Sequence, residues 1–251
     1  MSLALTTDSG ATSDNVRLII LYDGFDVAIN DIPLDGKIAK LQEVQAEILE
    51  KGHWCDIFPA NISKEEDVKN MVEGVINTLG GLDVMVANAG VCPTASVLDY
   101  TVEQWDRAFS INTHGTFLCY QYAAKQMIKQ GRGGRIIGSS SSAGKQGMQM
   151  MSLYSSTKSA IRGLTQGAAL DLGKFGITVN TYAPVDTKMS RETALQQGNM
   201  EEVIQLNVAH SAVDYIGQPE DVVGLVSYLA SKEAHFMTGQ TVGINGGWCF
   251  D

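Results

Sequence analysis

Short apolar segments alternate along the chain with longer segments in which apolar residues recur every three to four positions. The first pattern predicts buried strands and the second amphipathic helices. We predict seven strands, at Leu3–Thr6, Asp26–Asp31, Trp54–Pro59, Val84–Ala87, Arg135–Ser139, Thr178–Ala183 and Thr241–Ile244. We predict helices between them at Asn15–Tyr22, Lys37–Lys51, Glu65–Leu79, Val102–Gln130, Ser152–Phe175 and Glu220–Ala230. This alternation predicts one α/β domain over residues 1–251, of the Rossmann type: a doubly wound parallel sheet of seven strands with helices on both faces.

Residues at the ends of the helical segments support these boundaries. Ser63 precedes two glutamates and is predicted to be the N-cap of the helix that follows. Helix ends are predicted at four glycines, Gly24, Gly52, Gly80 and Gly176. The one long segment with neither pattern, residues 184–218, is expected to cover the substrate, because long excursions in compact domains often act as lids.

The composition narrows the possible functions. The chain has 251 residues, 18 Lys and Arg against 28 Asp and Glu, and a net charge of -10, which argues against nucleic-acid binding. The first ten residues carry no basic side chain and no apolar run is long enough for a membrane span, so we expect a cytoplasmic location and no membrane contact.

The four histidines are scattered, which predicts no metal site. The cysteines form no CxxC pair and are expected to be buried thiols: Cys55, Cys92, Cys119 and Cys249.

The strongest local signal is Tyr154 followed four residues later by Lys158, in a predicted helix. At this spacing the two side chains share a helix face, so an ammonium group can lie beside the phenol. A phenol has a pKa near 10 and transfers protons poorly at neutral pH unless a neighbouring cation favours its ionised form. The pair is therefore a candidate general acid and base, although the same spacing is also ordinary on a helix surface.

Polar residues at strand ends give this pair a context. Ser141 lies thirteen residues before Tyr154, after a predicted strand, where doubly wound folds bind their ligands. The sequence Asn88-Ala89-Gly90 follows another predicted strand, and Asn112 lies within a predicted helix. The presence of all these residues in this order is far more specific than the presence of any one of them.

Along essentially its whole length the sequence resembles the short-chain dehydrogenase/reductase family. The matching segments are VANAG (86–90), FSINTHGTF (109–117), GGRIIGSSSSAG (133–144), YSSTK (154–158), VNTYAP (179–184) and YLASKEAHFMTGQTVGINGG (228–247). The family implies hydride transfer between a nicotinamide and a carbonyl or alcohol carbon. It implies that Tyr154 is the proton donor or acceptor and that Lys158 lowers the pKa of this tyrosine. It also implies that Ser141 polarises the carbonyl and that Asn112 anchors a water relay. Within the family the chain looks most like acetoin, diacetyl and butanediol reductases.

The resemblance also implies binding residues. Those expected at the cofactor are Asp31, Asn61, Asn88, Ala89, Gly90, Tyr154, Lys158, Pro184 and Thr187. Asp31 matches the acid that binds the adenine ribose and disfavours a 2'-phosphate, so NAD is expected rather than NADP. The residues expected at a small-molecule carbonyl or alcohol substrate are Ser141, Gln149, Met151 and Tyr154. Met148, Met150 and Met151 are expected to form an adaptable apolar wall. The family further implies a homo-oligomer, a tetramer or a dimer, through the two long helices and the last strand.

Two segments depart from the family pattern. The first strand should run into a T-G-x-x-x-G-x-G turn, yet the chain reads TTDSGATSDN, and Gly10 fits neither possible register. Each missing glycine adds a Cβ where the pyrophosphate should approach the backbone, and Asp8 and Asp14 bring carboxylates near that site. The second departure is a deletion of two residues between Pro184 and Val185, on the nicotinamide side.

Three hypotheses follow. The leading one is an NAD(H)-linked reductase or dehydrogenase of a small ketone or secondary alcohol. The second is a member of the family that has lost dinucleotide binding and uses Tyr154 for non-redox proton transfer, as an isomerase or lyase. The third is a non-catalytic scaffold or binding subunit. The glycine-poor loop favours the last two, and the complete set of Asn112, Ser141, Tyr154 and Lys158 favours the first.

Overall fold

The computed structural model describes residues 3–7, 24–185, 205, 208–215 and 217–250. Three expected features lie outside these residues: the helix Asn15–Tyr22, the loop that precedes it, and Thr187 with most of the segment 184–218. Within the described part of the chain, no helix is long and apolar enough to cross a membrane.

Seven parallel strands form one sheet in the order β3-β2-β1-β4-β5-β6-β7. The strands are β1 (Leu3–Thr7), β2 (Asp26–Asn30), β3 (Cys55–Ile57), β4 (Val84–Ala87), β5 (Gly134–Ser139), β6 (Ile177–Pro184) and β7 (Thr241–Ile244). All seven predicted strands are present, with ends that differ by at most two residues. The strand order reverses between β1 and β4, and in doubly wound folds the crevice at this point, outside the carboxyl ends of the strands, binds the ligand.

The described part of the chain contains six α-helices with defined bounds. They are α1 (Asp35–Glu50), α2 (Glu65–Leu79), α3 (Val102–Phe109), α4 (Gly115–Gln130), α5 (Ser152–Leu172) and α6 (Pro219–Ala230). The predicted helix Val102–Gln130 is interrupted by a π-helical turn, Ser110–His114, which joins α3 to α4. A 3₁₀ turn, Gly173–Phe175, follows α5.

Buried apolar side chains form one core on each face of the sheet. In β4, Met85 belongs to the core that α2, α4 and α5 cover, whereas its neighbours Val84 and Val86 belong to the core under α1 and α6. Successive side chains of a strand point to opposite faces, so a fully buried strand such as β4 must be apolar throughout. This arrangement confirms the predicted doubly wound fold with helices on both faces.

The described helix ends confirm the prediction for Gly52, Gly80 and Gly176, leave that for Gly24 untested, and correct the N-cap prediction. All four predicted glycines have positive φ angles, from 68 to 83°, and Gly80 and Gly176 directly follow α2 and the turn after α5. The N-cap of α2 is Lys64 and not Ser63. The side-chain oxygen of Asn61 accepts hydrogen bonds from the N–H and the hydroxyl of Ser63, at 3.0 and 2.7 Å. Because this local turn holds Ser63, the helix begins only at Glu65.

Candidate active site

Tyr154 and Lys158 lie on the first turns of α5. The Lys158 Nζ atom is 5.6 Å from the centre of the Tyr154 ring and donates a hydrogen bond of 2.7 Å to the carbonyl oxygen of Ser139, the last residue of β5. Lys158 is 3% exposed, and Tyr154 is partly buried. The four-residue spacing therefore brings the ammonium group and the phenol ring together at the carboxyl end of β5.

Ser141 joins this pair from the loop after β5. Its side chain lies close enough to Tyr154 to influence the pKa of that phenol, and its Oγ atom accepts a hydrogen bond of 3.1 Å from the N–H of Ala143. Gly144 allows the loop to pack directly on α5, since a Cβ at this position would lie 2.8 Å from the main-chain carbon of Lys158. The loop cannot carry a side chain there without moving away from the helix, and Ser141 would move with it.

Asn112 lies in the π-helical turn and is completely buried. Its Oδ1 atom accepts a hydrogen bond from the N–H of Val91 at 2.8 Å. Its Nδ2 atom donates to the carbonyl oxygen of Val91 at 2.9 Å and to the Thr157 hydroxyl at 3.0 Å. Asn112 thus ties the segment after β4 to the helix that carries Tyr154 and Lys158. The wider π turn at this position is consistent with the frequent occurrence of such turns at functional sites.

The pKa values of Lys158 and Tyr154 are shifted by burial. Burial lowers the pKa of Lys158 to about 8, because a buried environment disfavours the ammonium form. Burial raises the pKa of Tyr154 above its usual value, a nearby Cys92 raises it further, and Ser141 opposes this increase. That Lys158 lowers the pKa of Tyr154 stays a prediction.

Cys92 is a member of this site that the sequence did not reveal. It is partly buried, whereas the other three cysteines are buried as expected. Its thiol is close enough to interact electrostatically with both Tyr154 and Lys158, and burial raises its pKa to about 11. The sequence could have indicated that Cys92 belongs to the site, because Cys92 lies two residues after Gly90 in a segment that follows a strand at the carboxyl edge of the sheet.

The residues expected to bind the adenosine half of a dinucleotide lie after β2 and β3. Asp31 is 3% exposed, its Oδ1 atom accepts a 2.7 Å hydrogen bond from the N–H of Ile32, and its Oδ2 atom is 3.8 Å from Lys37 Nζ. Asn61 uses its side-chain oxygen to hold Ser63, and its N–H donates to Asp67 at 3.1 Å. Asp31 is thus a buried carboxylate beside one lysine, and Asn61 has its amide NH₂ group left as a donor.

The segment after β4, residues 88–90, contacts β6 on one side and Asn112 and Lys158 on the other. The Asn88 side-chain oxygen accepts a short hydrogen bond from the hydroxyl of Tyr182 on β6, so this side chain links the two strands. Ala89 and Asn88 are buried. At Gly90 a Cβ would lie 3.1 Å from Asn112 Oδ1 and 3.6 Å from Lys158 Nζ. The structure therefore brings this segment next to Lys158.

The residues expected at the substrate lie in the loop before α5. Gln149 and Met150 are exposed, and Met148 and Met151 are partly buried. Met151 is the N-cap of α5, and its carbonyl oxygen accepts a 2.7 Å hydrogen bond from the N–H of Ser155. This loop leads directly into Tyr154. Pro184 ends β6, and its carbonyl oxygen is 3.5 Å from Ser141 Oγ.

Within the described ranges, no group of three or more His, Cys, Asp or Glu side chains is placed to hold a metal ion.

Known proteins are similar to this chain in sequence and in fold. A family model described as enoyl-(acyl carrier protein) reductase matches residues 20–249. A short-chain dehydrogenase/reductase of Hericium erinaceus is 46% identical over 243 residues, which are 95% of each chain. A diacetyl reductase ((S)-acetoin forming) of Staphylococcus epidermidis is 33% identical over 251 residues, covering 97% of this chain and 96% of the relative. Among solved structures, NAD⁺-bound xylitol dehydrogenase gives a TM-score of 0.89 at 28% identity and covers 98% of both chains.

These matches extend over nearly the whole chain and agree with the fold. The chain belongs to the short-chain dehydrogenase/reductase family of oxidoreductases.

Proposed function

We propose that the protein is an NAD(H)-linked oxidoreductase that interconverts a small ketone and a secondary alcohol. The observation that carries this proposal is the position of the buried Lys158 ammonium group, which lies 5.6 Å from the centre of the Tyr154 ring and is fixed by a 2.7 Å hydrogen bond to Ser139. The Ser141 hydroxyl lies close enough to Tyr154 to influence its pKa, so two hydroxyl groups are available to a carbonyl oxygen. The similarity to a diacetyl reductase supports a small carbonyl substrate.

In this proposal each of four residues has a separate role in proton transfer. Ser141 donates a hydrogen bond to the carbonyl oxygen and orients it towards Tyr154. Tyr154, which is protonated at neutral pH because its pKa is raised, gives its proton to that oxygen during reduction and takes it back during oxidation. Lys158 stabilises the phenolate that forms. Asn112 keeps Val91 and Thr157 in place on either side of the site.

The described residues fit a nicotinamide dinucleotide. When bound, this cofactor supplies or accepts the hydride. An ammonium group has three N–H donors, and one of those on Lys158 is used by Ser139, so two are left for ribose hydroxyls. Gly90 keeps open the space that a Cβ would fill next to Lys158. The residues that would hold the cofactor are Asp31, Asn61, Asn88, Ala89, Gly90, Tyr154, Lys158, Pro184 and Thr187.

We propose NAD rather than NADP as the cofactor. The buried carboxylate of Asp31 can accept hydrogen bonds from two ribose hydroxyls and repels a 2'-phosphate. The solved xylitol dehydrogenase with the same fold carries NAD⁺.

One specific observation favours a second function. The sequence TTDSGATSDN lacks the glycines with which the family approaches a pyrophosphate, and the family model matches only from residue 20 onward. The alternative is a protein that does not bind a dinucleotide and uses Tyr154 for non-redox proton transfer, or that serves as a non-catalytic binding subunit.

Titration with NADH and with NADPH separates these functions. The proposal expects saturable NADH binding at micromolar concentration, followed by nicotinamide fluorescence and by heat, with weaker NADPH binding. A Lys158→Met variant is expected to bind NADH more weakly, because it lacks the donors for the ribose. Absence of binding at millimolar cofactor would contradict the redox function and favour the alternative.

We further propose that the chain forms a homo-oligomer, a tetramer or a dimer, through its two long helices and its last strand. Large apolar side chains are exposed on both surfaces: Phe117 and Leu170 on α4 and α5, and Phe236 near β7. Light scattering on the purified protein tests this proposal, and a monomer at micromolar concentration would contradict it.

A further inference from the structure

The loop before α5 contains a backbone conformation that is unusual for its residue. Met150 has a φ of 62°, and it is the only residue other than glycine with a positive φ in the ranges that the structure describes. L-residues avoid this region because the Cβ atom crowds the neighbouring backbone. Such a conformation persists only where surrounding contacts hold it, and it often occurs at functional sites.

Those contacts come from a second loop, residues 91–100, which follows β4. The N–H of Ala95 donates a shared hydrogen bond to the carbonyl oxygen of Met150, at 2.9 Å, and to the Tyr100 oxygen, at 3.0 Å. The single proton of the Tyr100 hydroxyl has two acceptors within reach, the carbonyl oxygens of Pro93 at 2.9 Å and of Met150 at 3.1 Å. One phenol hydroxyl therefore joins both loops. We call the contacts of Tyr100 with Pro93, Ala95 and Met150 the Tyr100 latch.

The latch joins two loops that lead to the candidate catalytic groups. The first loop contains Cys92, whose thiol interacts electrostatically with Tyr100, Tyr154 and Lys158. The second loop ends at Met151, the N-cap of the helix that carries Tyr154. We therefore expect the two loops to form adjacent walls of the substrate site at Tyr154, joined to each other by the latch.

We propose that Tyr100 is a positioning residue that holds these two walls together and thereby restricts the site to small substrates. This inference rests on the proposed function, because it concerns the substrate of the same site. Tyr100 touches neither the reacting atoms nor the expected cofactor residues. Its loss is therefore expected to change substrate binding and size selection, and to leave cofactor binding unchanged.

The first test compares Tyr100→Phe with wild type and with Tyr228→Phe, a matched change at an exposed tyrosine of α6. The steady-state constants are measured for diacetyl and for the bulkier 1-phenyl-1,2-propanedione, and the Kd is measured for NADH. We expect Tyr100→Phe to raise the KM for diacetyl several-fold and to lower the ratio of kcat/KM for small over bulky substrate by about tenfold. We expect an NADH Kd within twofold of wild type. An unchanged KM and an unchanged ratio would overturn the proposal.

A second measurement needs no turnover. Alkylation of Cys92 by iodoacetamide at pH 8.5 is followed by peptide mass spectrometry, with the three buried cysteines as internal references. If the latch holds the loop that contains Cys92, Tyr100→Phe and Met150→Pro are both expected to increase the alkylation rate of Cys92 several-fold, and Tyr228→Phe is not. Equal rates in all variants would overturn the proposal. Wild-type protein that neither binds NADH nor reduces diacetyl would contradict the proposed function, and the alkylation rates would still decide whether Tyr100 holds the loops.

Discussion

The ammonium nitrogen of Lys158 donates a 2.7 Å hydrogen bond to the main-chain oxygen of Ser139. This contact fixes a flexible side chain of α5 against the last residue of β5. It also fixes the position of the charge, because the ammonium group then lies 5.6 Å from the centre of the Tyr154 ring in a side chain that is 3% exposed. Burial of that charge lowers the pKa of Lys158 to about 8, so the group titrates in a range in which enzymes are routinely assayed.

The first prediction concerns the pH dependence of reduction. Below pH 8 Lys158 carries its charge in the free protein, and above pH 8 it loses the proton. The kcat/KM for NADH reports the ionisation of the free enzyme, so it is expected to be constant from pH 6 to about 7.5 and to decrease as pH rises through about 8. Tyr154 does not contribute to this decrease, because its pKa is raised above the usual value near 10.

Two variants make this prediction specific. Lys69→Met removes an exposed lysine paired with Glu66 and is expected to keep the decrease above pH 8. Lys158→Arg carries a group that stays charged beyond pH 12, so its residual activity is expected to lack the decrease. A wild-type profile that is flat up to pH 9.5 would show that Lys158 does not act through its charge.

The second prediction concerns the Tyr154 hydroxyl. Tyr154→Phe removes the proton donor but keeps the ring. We expect kcat to fall by about 10²–10⁴-fold, the usual contribution of general acid–base catalysis. The NADH Kd is expected to change by less than about threefold, because Lys158 and the main chain hold the cofactor in the proposal. Activity near the wild-type level in a folded Tyr154→Phe protein would contradict the role of Tyr154.

The sequence predicted those parts of the structure that depend on local spacing. Buried parallel strands are continuous apolar segments, which is why β4 was predicted to the residue. The pair Tyr154 and Lys158 followed from helix geometry, and Ser141 from its position after a strand. These relationships require only the chain's own periodicity.

The parts that the sequence did not predict depend on contacts between distant segments. Tyr100 and Met150 are fifty residues apart, and the sequence of neither loop indicates that one hydroxyl joins them. Cys92 was grouped with the buried thiols, because its nearness to Lys158 arises only when β4 and β5 pair in the sheet. The raised pKa of Tyr154 was also missed, since it depends on burial in the assembled cleft.

The third prediction concerns Gly90. In Gly90→Ala the added Cβ lies 3.1 Å from Asn112 Oδ1 and 3.6 Å from Lys158 Nζ, closer to Asn112 than an ordinary contact. Because overpacking moves the neighbours, and Lys158 is one of them, we expect kcat/KM to fall by about tenfold, equal to about 1.4 kcal/mol. The matched control is Gly163→Ala in α5, where a Cβ meets nothing within 4 Å. This control is expected to keep full activity and to raise the free energy of unfolding by about 0.5–1 kcal/mol. Equal activity of the two variants would remove Gly90 from the site.

The fourth prediction concerns the choice of cofactor. The Asp31 carboxylate is nearly buried after β2, with Lys37 Nζ 3.8 Å from Oδ2. Asp31→Ala removes the acceptor for the ribose hydroxyls and also the charge that repels a 2'-phosphate, and it leaves Lys37 beside the space that opens. The ratio of kcat/KM for NADH over NADPH is therefore expected to fall by about tenfold or more, equal to at least about 1.4 kcal/mol. Asp35→Asn, at the exposed start of α1, changes a nearby charge without touching that space and is expected to keep the wild-type ratio. If Asp31→Ala keeps the wild-type ratio as well, Asp31 does not contact the ribose and the preference for NAD must come from other residues.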